Sequence, residues 1–204
     1  MKALTKETQA AISPVNAINL LKEGNKRFQT NKEVERNLLA QVSETSTGQY
    51  PFATILNCVD SRVSAELVFD QGIGDIFSIR IAGNFVNEDI LGSMEFTCKL
   101  AGTKVIVVLG HTACGAVKGA CDDAKLGNLT TLLSKLKPAV ESVSEPTDAS
   151  KRNSGNIEFV NNVAEKNVYM TIENIREKSA VLKDMETQGE IKIIGAMYDI
   201  KDGS

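Results

Sequence analysis

Three side chains that favour soft or borderline metals stand in two short segments: Cys58, and His111 followed three residues later by Cys114. His111 is the single histidine of the chain. Two thiolates and one imidazole are a good zinc donor set, and three protein ligands leave one tetrahedral position open to water. An open position lets the metal acidify water and deliver it as hydroxide; a fourth protein ligand would make the site closed and structural. Asp60 and Arg62 share the turn that follows Cys58. Asp60 can accept a hydrogen bond from metal-bound hydroxide while Arg62 grips its carboxylate by a bidentate pair, or it can bind the metal directly and close the site. As a bland alternative, the two residues are only a turn-stabilising ion pair. Cys98 and Cys121 read as small buried hydrophobes.

These residues need a scaffold that brings the two segments together. The run from Phe52 to Asn57 is short and apolar and ends at Cys58, and the unbroken run from Lys104 to Leu109 ends at Gly110-His111. Both patterns predict buried strands of a sheet covered on two faces. Further strands are expected at 76–81 and 191–197, with helices at 64–69, 90–101, 115–121, 126–136 and 157–186, and a surface connection at 141–155. Strands alternating with helices predict an α/β fold with a central, mostly parallel sheet flanked by helices. In such sheets ligands bind beyond the carboxyl ends of the strands, where Cys58, His111 and Cys114 fall.

Ahead of the sheet, Ser13-Pro14 opens a helical pattern carrying Val15, Ile18, Leu21 and Phe28, with proline in the first turn where no amide donor is needed. This N-terminal helical arm has little sequence around it to cover its apolar face, which predicts docking onto a neighbouring subunit. The expected organisation is a single domain over 1–204, with arm and lead-in at 1–48 and the α/β core at 49–204.

The 204 residues carry 23 basic and 26 acidic side chains, a formal net charge of −3. That balance lacks the concentrated Lys and Arg that nucleic acid or an anionic membrane surface demands. No apolar run reaches the roughly 18 residues of a membrane span, and the polar start carries no signal sequence. Four cysteines are too few for a disulfide scaffold, so reduced thiols and the cytoplasm are expected.

Cys58-Val59-Asp60-Ser61-Arg62 resembles the C-x-D-S-R signature of the β-class carbonic anhydrases, and Gly110-His111-Thr112-Ala113-Cys114-Gly115 resembles their G-H-x-x-C-G signature. The similarity runs from Gln49 to Cys121 through Gly74-Asp75-Ile76-Phe77, Arg80 and Ala82-Gly83-Asn84. It implies one Zn2+ per chain on Cys58, His111 and Cys114, and an Asp60–Arg62 dyad that admits or excludes water. It also implies reversible hydration of carbon dioxide to bicarbonate and a proton, with Gln49 as a bicarbonate contact. Phe77, Ala82 and Phe96 fall where the family lines its carbon dioxide pocket. Phe96 departs from the tyrosine of plant-like members, and the tryptophan that marks a regulatory bicarbonate pocket in some members is missing near Ile55. The resemblance further implies a homodimer or homotetramer with active sites near the subunit interface. Two other classes stay open on the residues: a related zinc hydrolase of carbon disulfide or a similar linear molecule, and a non-catalytic zinc or redox-thiol protein.

Overall fold

The computed structural model describes residues 2–204. Its centre is a four-stranded sheet of β1 (Ala53–Asn57), β2 (Ile76–Arg80), β3 (Val105–His111) and β4 (Lys192–Tyr198). The strand order is β2-β1-β3-β4 and every pairing is parallel. Every residue of β1 and β3 is buried, as their uninterrupted apolar character demands of inner parallel strands. Connections leave β1 on one side for β2 and return on its other side for β3. The reversal creates a crevice between the carboxyl ends of β1 and β3, the place where such sheets bind ligands.

Successive side chains alternate between faces. Ala53, Ile55, Val105, Val107 and Leu109 form one core with Ala17 and Leu21 of an N-terminal helix and with Ala65 and Val68. Leu56, Ile106, Val108 and Ile193 form the opposite core with Leu91, Met94, Val168, Ile172 and Leu182. A third cluster lies beyond the strand ends and holds Cys58 and Cys114 among Val117, Leu136, Phe159, Val160 and Val163.

The lead-in contains α1 (Lys6–Ala10), α2 (Pro14–Gln29) and α3 (Leu38–Glu44); α4 (Ala65–Val68) follows β1. Helix α2 turns Ala17 and Leu21 onto its own chain, while Val15 on the same helix stays 53% exposed. Ala17 is 0% and Leu21 3% exposed, and Gly24 packs so closely that a Cβ there would lie 1.8 Å from the Phe69 carbonyl oxygen. Asp70, which both Arg27 and Arg36 grip, ties the arm down electrostatically.

Between β2 and β3 run α5 (Glu88–Glu95) and a π-helical turn at Phe96–Leu100; α6 (Gly115–Cys121), α7 (Gly127–Ser134) and α8 (Lys137–Ser142) follow β3. The region expected as plain connection thus holds the end of α8 and a 3-10 turn at Ala149–Lys151. The long helical pattern divides into α9 (Ile157–Lys178) and α10 (Ala180–Thr187). Ser179 causes the break: its extended backbone ends α9, its Oγ accepts from the Leu182 amide, and the same hydroxyl donates to Glu95 at 2.6 Å. A serine N-cap inside an otherwise continuous apolar period starts a new helix. Among the described residues no helix is long and apolar enough to cross a membrane.

Candidate metal centre

Cys58 is the first residue past β1 and His111 the last of β3, so the sheet itself sets them side by side: Asn57 pairs with Leu109 in register. Cys114 arrives from the same end as N-cap of α6. One ligand atom from each of these residues lies within 4.8 Å of the other two, and all three residues are buried. The two sulfurs are 3.9 Å apart. Sulfurs about 2.3 Å from one tetrahedral zinc would be about 3.8 Å apart, so the spacing fits that ion with little adjustment.

His111 is 0% exposed. Its Nδ1 lies 2.9 Å from the Thr112 carbonyl oxygen, which can only accept, so Nδ1 carries the proton and Nε2 keeps a lone pair. Nε2 is buried and, among the described residues, has no hydrogen-bond partner. A buried polar atom without a partner is costly, and a metal is the partner that suits a neutral imidazole nitrogen facing two thiols.

The thiols do not behave alike. The bond between the two sulfurs draws Cys58 far below the ordinary thiol range, while Cys114 is pushed up by that bond and by burial. Ligation of both sulfurs as thiolates would release any proton they carry. Gly83 supports Cys58 by donating its amide to the sulfur at 3.4 Å. Gly83 has φ of +81° and a Cβ on it would meet Leu136 at 2.7 Å, so glycine is needed both for the turn and for the approach.

Asp60 and Arg62 form a fork-to-fork pair. Arg62 donates Nε to Oδ1 at 2.9 Å and Nη2 to Oδ2 at 2.7 Å, and its amide adds a bond to Oδ1 at 3.0 Å. Those bonds hold the Asp60 carboxyl well below the usual carboxylate range. Asp60 Oδ2 also stands 3.9 Å from His111 Nε2, placing the carboxylate next to the ligand atoms without inserting it among them.

The remaining predicted residues fall differently. Ala82 is half-buried in the turn beside Gly83. Phe77 and Phe96 meet edge to face, with ring centroids 6.3 Å apart, in an open depression whose lining includes none of Cys58, Asp60, Arg62, His111 or Cys114. Gln49 is exposed ahead of β1 and, among the described residues, makes no hydrogen bond to the site. Arg80, which the sequence placed within the stretch of resemblance but without a role, donates to the carbonyls of Cys58 at 3.0 Å and Asp60 at 2.7 Å. Sequence reasoning passed over Asn161, Asn167 and Asp199, which reach the site loops from α9 and from the end of β4. An exposed arginine at a strand end and asparagines inside a charged helix carry no local signal of such roles.

An all-parallel sheet with a Cys-His-Cys cluster at its switch point defines the scaffold of a small α/β metalloenzyme. Residues 53–204 match the carbonic anhydrase family. Carbonic anhydrase 2 of Mycobacterium tuberculosis is 33% identical over 192 residues, covering 94% of this chain and 91% of that protein. Among solved structures, the β-carbonic anhydrase CafA of Aspergillus fumigatus superposes with a TM-score of 0.71 at 27% identity, covering 93% of this chain and 88% of that one. The β-carbonic anhydrase CcaA gives 0.72 at 24% identity, with 92% of each chain covered. The chain belongs to the β-carbonic anhydrase family.

Proposed function

We propose that this protein catalyses the reversible hydration of carbon dioxide to bicarbonate and a proton, with one zinc ion held by Cys58, His111 and Cys114. The observation that carries the reading is the convergence of those three ligand atoms within 4.8 Å at the crevice between β1 and β3, in a chain of this family. Zinc in such an open site lowers the pKa of a coordinated water enough to supply hydroxide near neutral pH.

The chain's own residues do the rest. His111, fixed by Thr112, offers Nε2 as a neutral donor, and the two sulfurs supply two negative charges. Asp60, kept ionised by Arg62, is a hydrogen-bond acceptor beside the ligand atoms that orients an attacking oxygen. By committing both carboxylate oxygens, Arg62 keeps Asp60 from becoming the fourth ligand. The Arg62 side chain is 53% exposed, so its charge also faces the anionic product as it leaves.

Phe77, Ala82 and Phe96 supply the apolar wall for carbon dioxide in this reading, and Gln49 a contact for bicarbonate. Because the Phe77–Phe96 depression is open in one chain, their role requires a second copy to close it. The reading therefore makes the protein a homodimer or homotetramer. Phe96, 50% exposed, and Leu100, 77% exposed, support it, as does the position of β2 at the edge of the sheet. A site built on thiolates favours a reducing compartment, the cytoplasm.

The deciding experiment is stopped-flow hydration of carbon dioxide by metal-analysed protein at neutral and alkaline pH, with Cys58→Ala alongside. Fast hydration at about one zinc per chain, abolished in the variant, is the expected result. Zinc without hydration at either pH would overturn the assignment and point to the related hydrolase or to a structural site.

A further inference from the structure

His111 and Cys114 must aim at one point although only Thr112 and Ala113 separate them, and the backbone achieves this with an unusual turn. Ala113 has φ of +54°, the left-handed region that alanine rarely adopts because its Cβ crowds the backbone. A conformation of that kind persists only where surrounding bonds impose it. On one side the end of β4 restrains the loop: the Thr112 amide donates to Tyr198 and its hydroxyl to Asp199 at 3.0 Å. On the other side Asn161 of α9 accepts the Ala113 amide on Oδ1 at 2.9 Å.

We propose that Asn161 is a positioning residue for the metal centre: it holds Ala113 in the left-handed conformation and so pre-sets the angle between His111 and Cys114. The inference rests on the zinc reading above, and it concerns the protein's grip on the metal rather than the reaction. Asn161 is well suited to this and poorly suited to being core. It is half-buried, while its neighbours Val160 and Val163 are each 0% exposed and carry the packing of α9. The same helix braces the other metal-bearing loop, since Asn167 donates to the Gly83 carbonyl at 2.8 Å and Gly83 donates to the Cys58 sulfur. One rigid helix thereby sets the loops beneath both thiolates.

The test compares the full-length parent with Asn161→Leu, Asn161→Asp, Ala113→Gly and the Asn161→Leu/Ala113→Gly double variant. Zinc affinity is read by chelator competition, the cobalt-substituted protein by its thiolate charge-transfer absorption, and folding by circular dichroism. Losing a bond that orients a ligand typically weakens metal binding about 10–100-fold, and Asn161→Leu is expected to fall in that range with an altered cobalt spectrum. Asn161→Asp keeps the acceptor and should stay close to the parent. Ala113→Gly makes the left-handed turn intrinsically accessible, so it should restore most of the affinity in the double variant while changing little alone.

Parental affinity and spectrum in Asn161→Leu would overturn the proposal. So would an equal loss in Asn161→Asp, or a double variant no better than Asn161→Leu. Should Asn161→Leu fail to fold, the double variant and Asn161→Asp still decide, since folded protein without parental affinity in both refutes the role. A parent that takes up neither metal would instead remove the zinc reading, and this inference with it.

Discussion

Asp60 Oδ2 stands 3.9 Å from His111 Nε2 while Arg62 holds that same carboxylate through two parallel bonds. On the zinc reading, the carboxylate is close enough to compete for the metal, and Arg62 is the side chain that commits both its oxygens. Arg62→Ala releases it. The expected outcome is a fall in hydration rate of about 10–100-fold with zinc content unchanged, measured by stopped flow beside metal analysis. Arg62→Lys should recover little, because a single ammonium cannot reproduce the fork that matches both oxygens. A parental rate in Arg62→Ala would mean that the pair is only a turn brace.

The four cysteines differ in environment, and alkylation should sort them. With zinc bound, Cys58 and Cys114 are engaged and buried; Cys98 is buried among Thr97 and Thr103 and is pushed up by desolvation. Cys121, half-buried, is the remaining thiol, and burial raises it to about 11. Labelling of the zinc-loaded protein should be slow everywhere. Chelation should add Cys58 first, because its bond to Cys114 draws it far below the ordinary thiol range, and thiolate is the reactive form. Peptide mapping by mass spectrometry reads the order; labelling of Cys98 ahead of Cys58 would contradict it.

The arm offers a pH prediction away from the metal. Burial pushes Asp70 up, but bonds from Arg27, Arg36 and the Val34 amide outweigh it and leave the carboxyl below its ordinary value. The folded protein then binds fewer protons here than the unfolded chain. The clamp is fully present above the unfolded value of about 3.9 and is lost as pH falls through the lower folded value. Asp70 is 3% and Arg36 8% exposed, so Asp70→Asn strands two buried or half-buried guanidinium groups at a cost of about 3 kcal/mol. Denaturant midpoints should show that gap undiminished from pH 8 to pH 5 and closing only below about pH 4. A gap that closes between pH 7 and pH 5 would assign the stabilisation to another group.

Much of this architecture could be read ahead of the coordinates because one physical signal dominated each part. Fully buried parallel strands write themselves as unbroken apolar runs, so β1 and β3 were legible, and with them the convergence of the residues at their ends. Helix α3 was hidden for the opposite reason. Its leucines Leu38 and Leu39 are 52% and 81% exposed while Gln41 is 1% exposed and accepts the Ile73 amide, which inverts the usual pattern. The break at Ser179 depended on a single hydroxyl finding both an amide and Glu95. The Ala113 turn and its tie to Asn161 join residues 48 apart, a relationship that neither periodicity nor a local motif records.

Proton export supplies the last prediction. Each hydration cycle releases a proton that must leave the site before the next, and histidine is the side chain that ordinarily carries protons near pH 7. The chain has one histidine. It is fully buried, with Nδ1 committed to the Thr112 carbonyl and Nε2 clustered with the Cys58 and Cys114 sulfurs, so it cannot swing between site and solvent. Proton export then relies on buffer, water chains or another side chain, and kcat is expected to climb with buffer concentration and saturate. The ratio kcat/KM should stay flat, since it covers only the steps through carbon dioxide hydration. Stopped-flow measurements across a buffer series at fixed pH and ionic strength decide it. A kcat indifferent to buffer would require an internal carrier, and Asp60 would be ruled out as that carrier if its protonation remained confined to pH values well below neutrality, where Arg62 holds it.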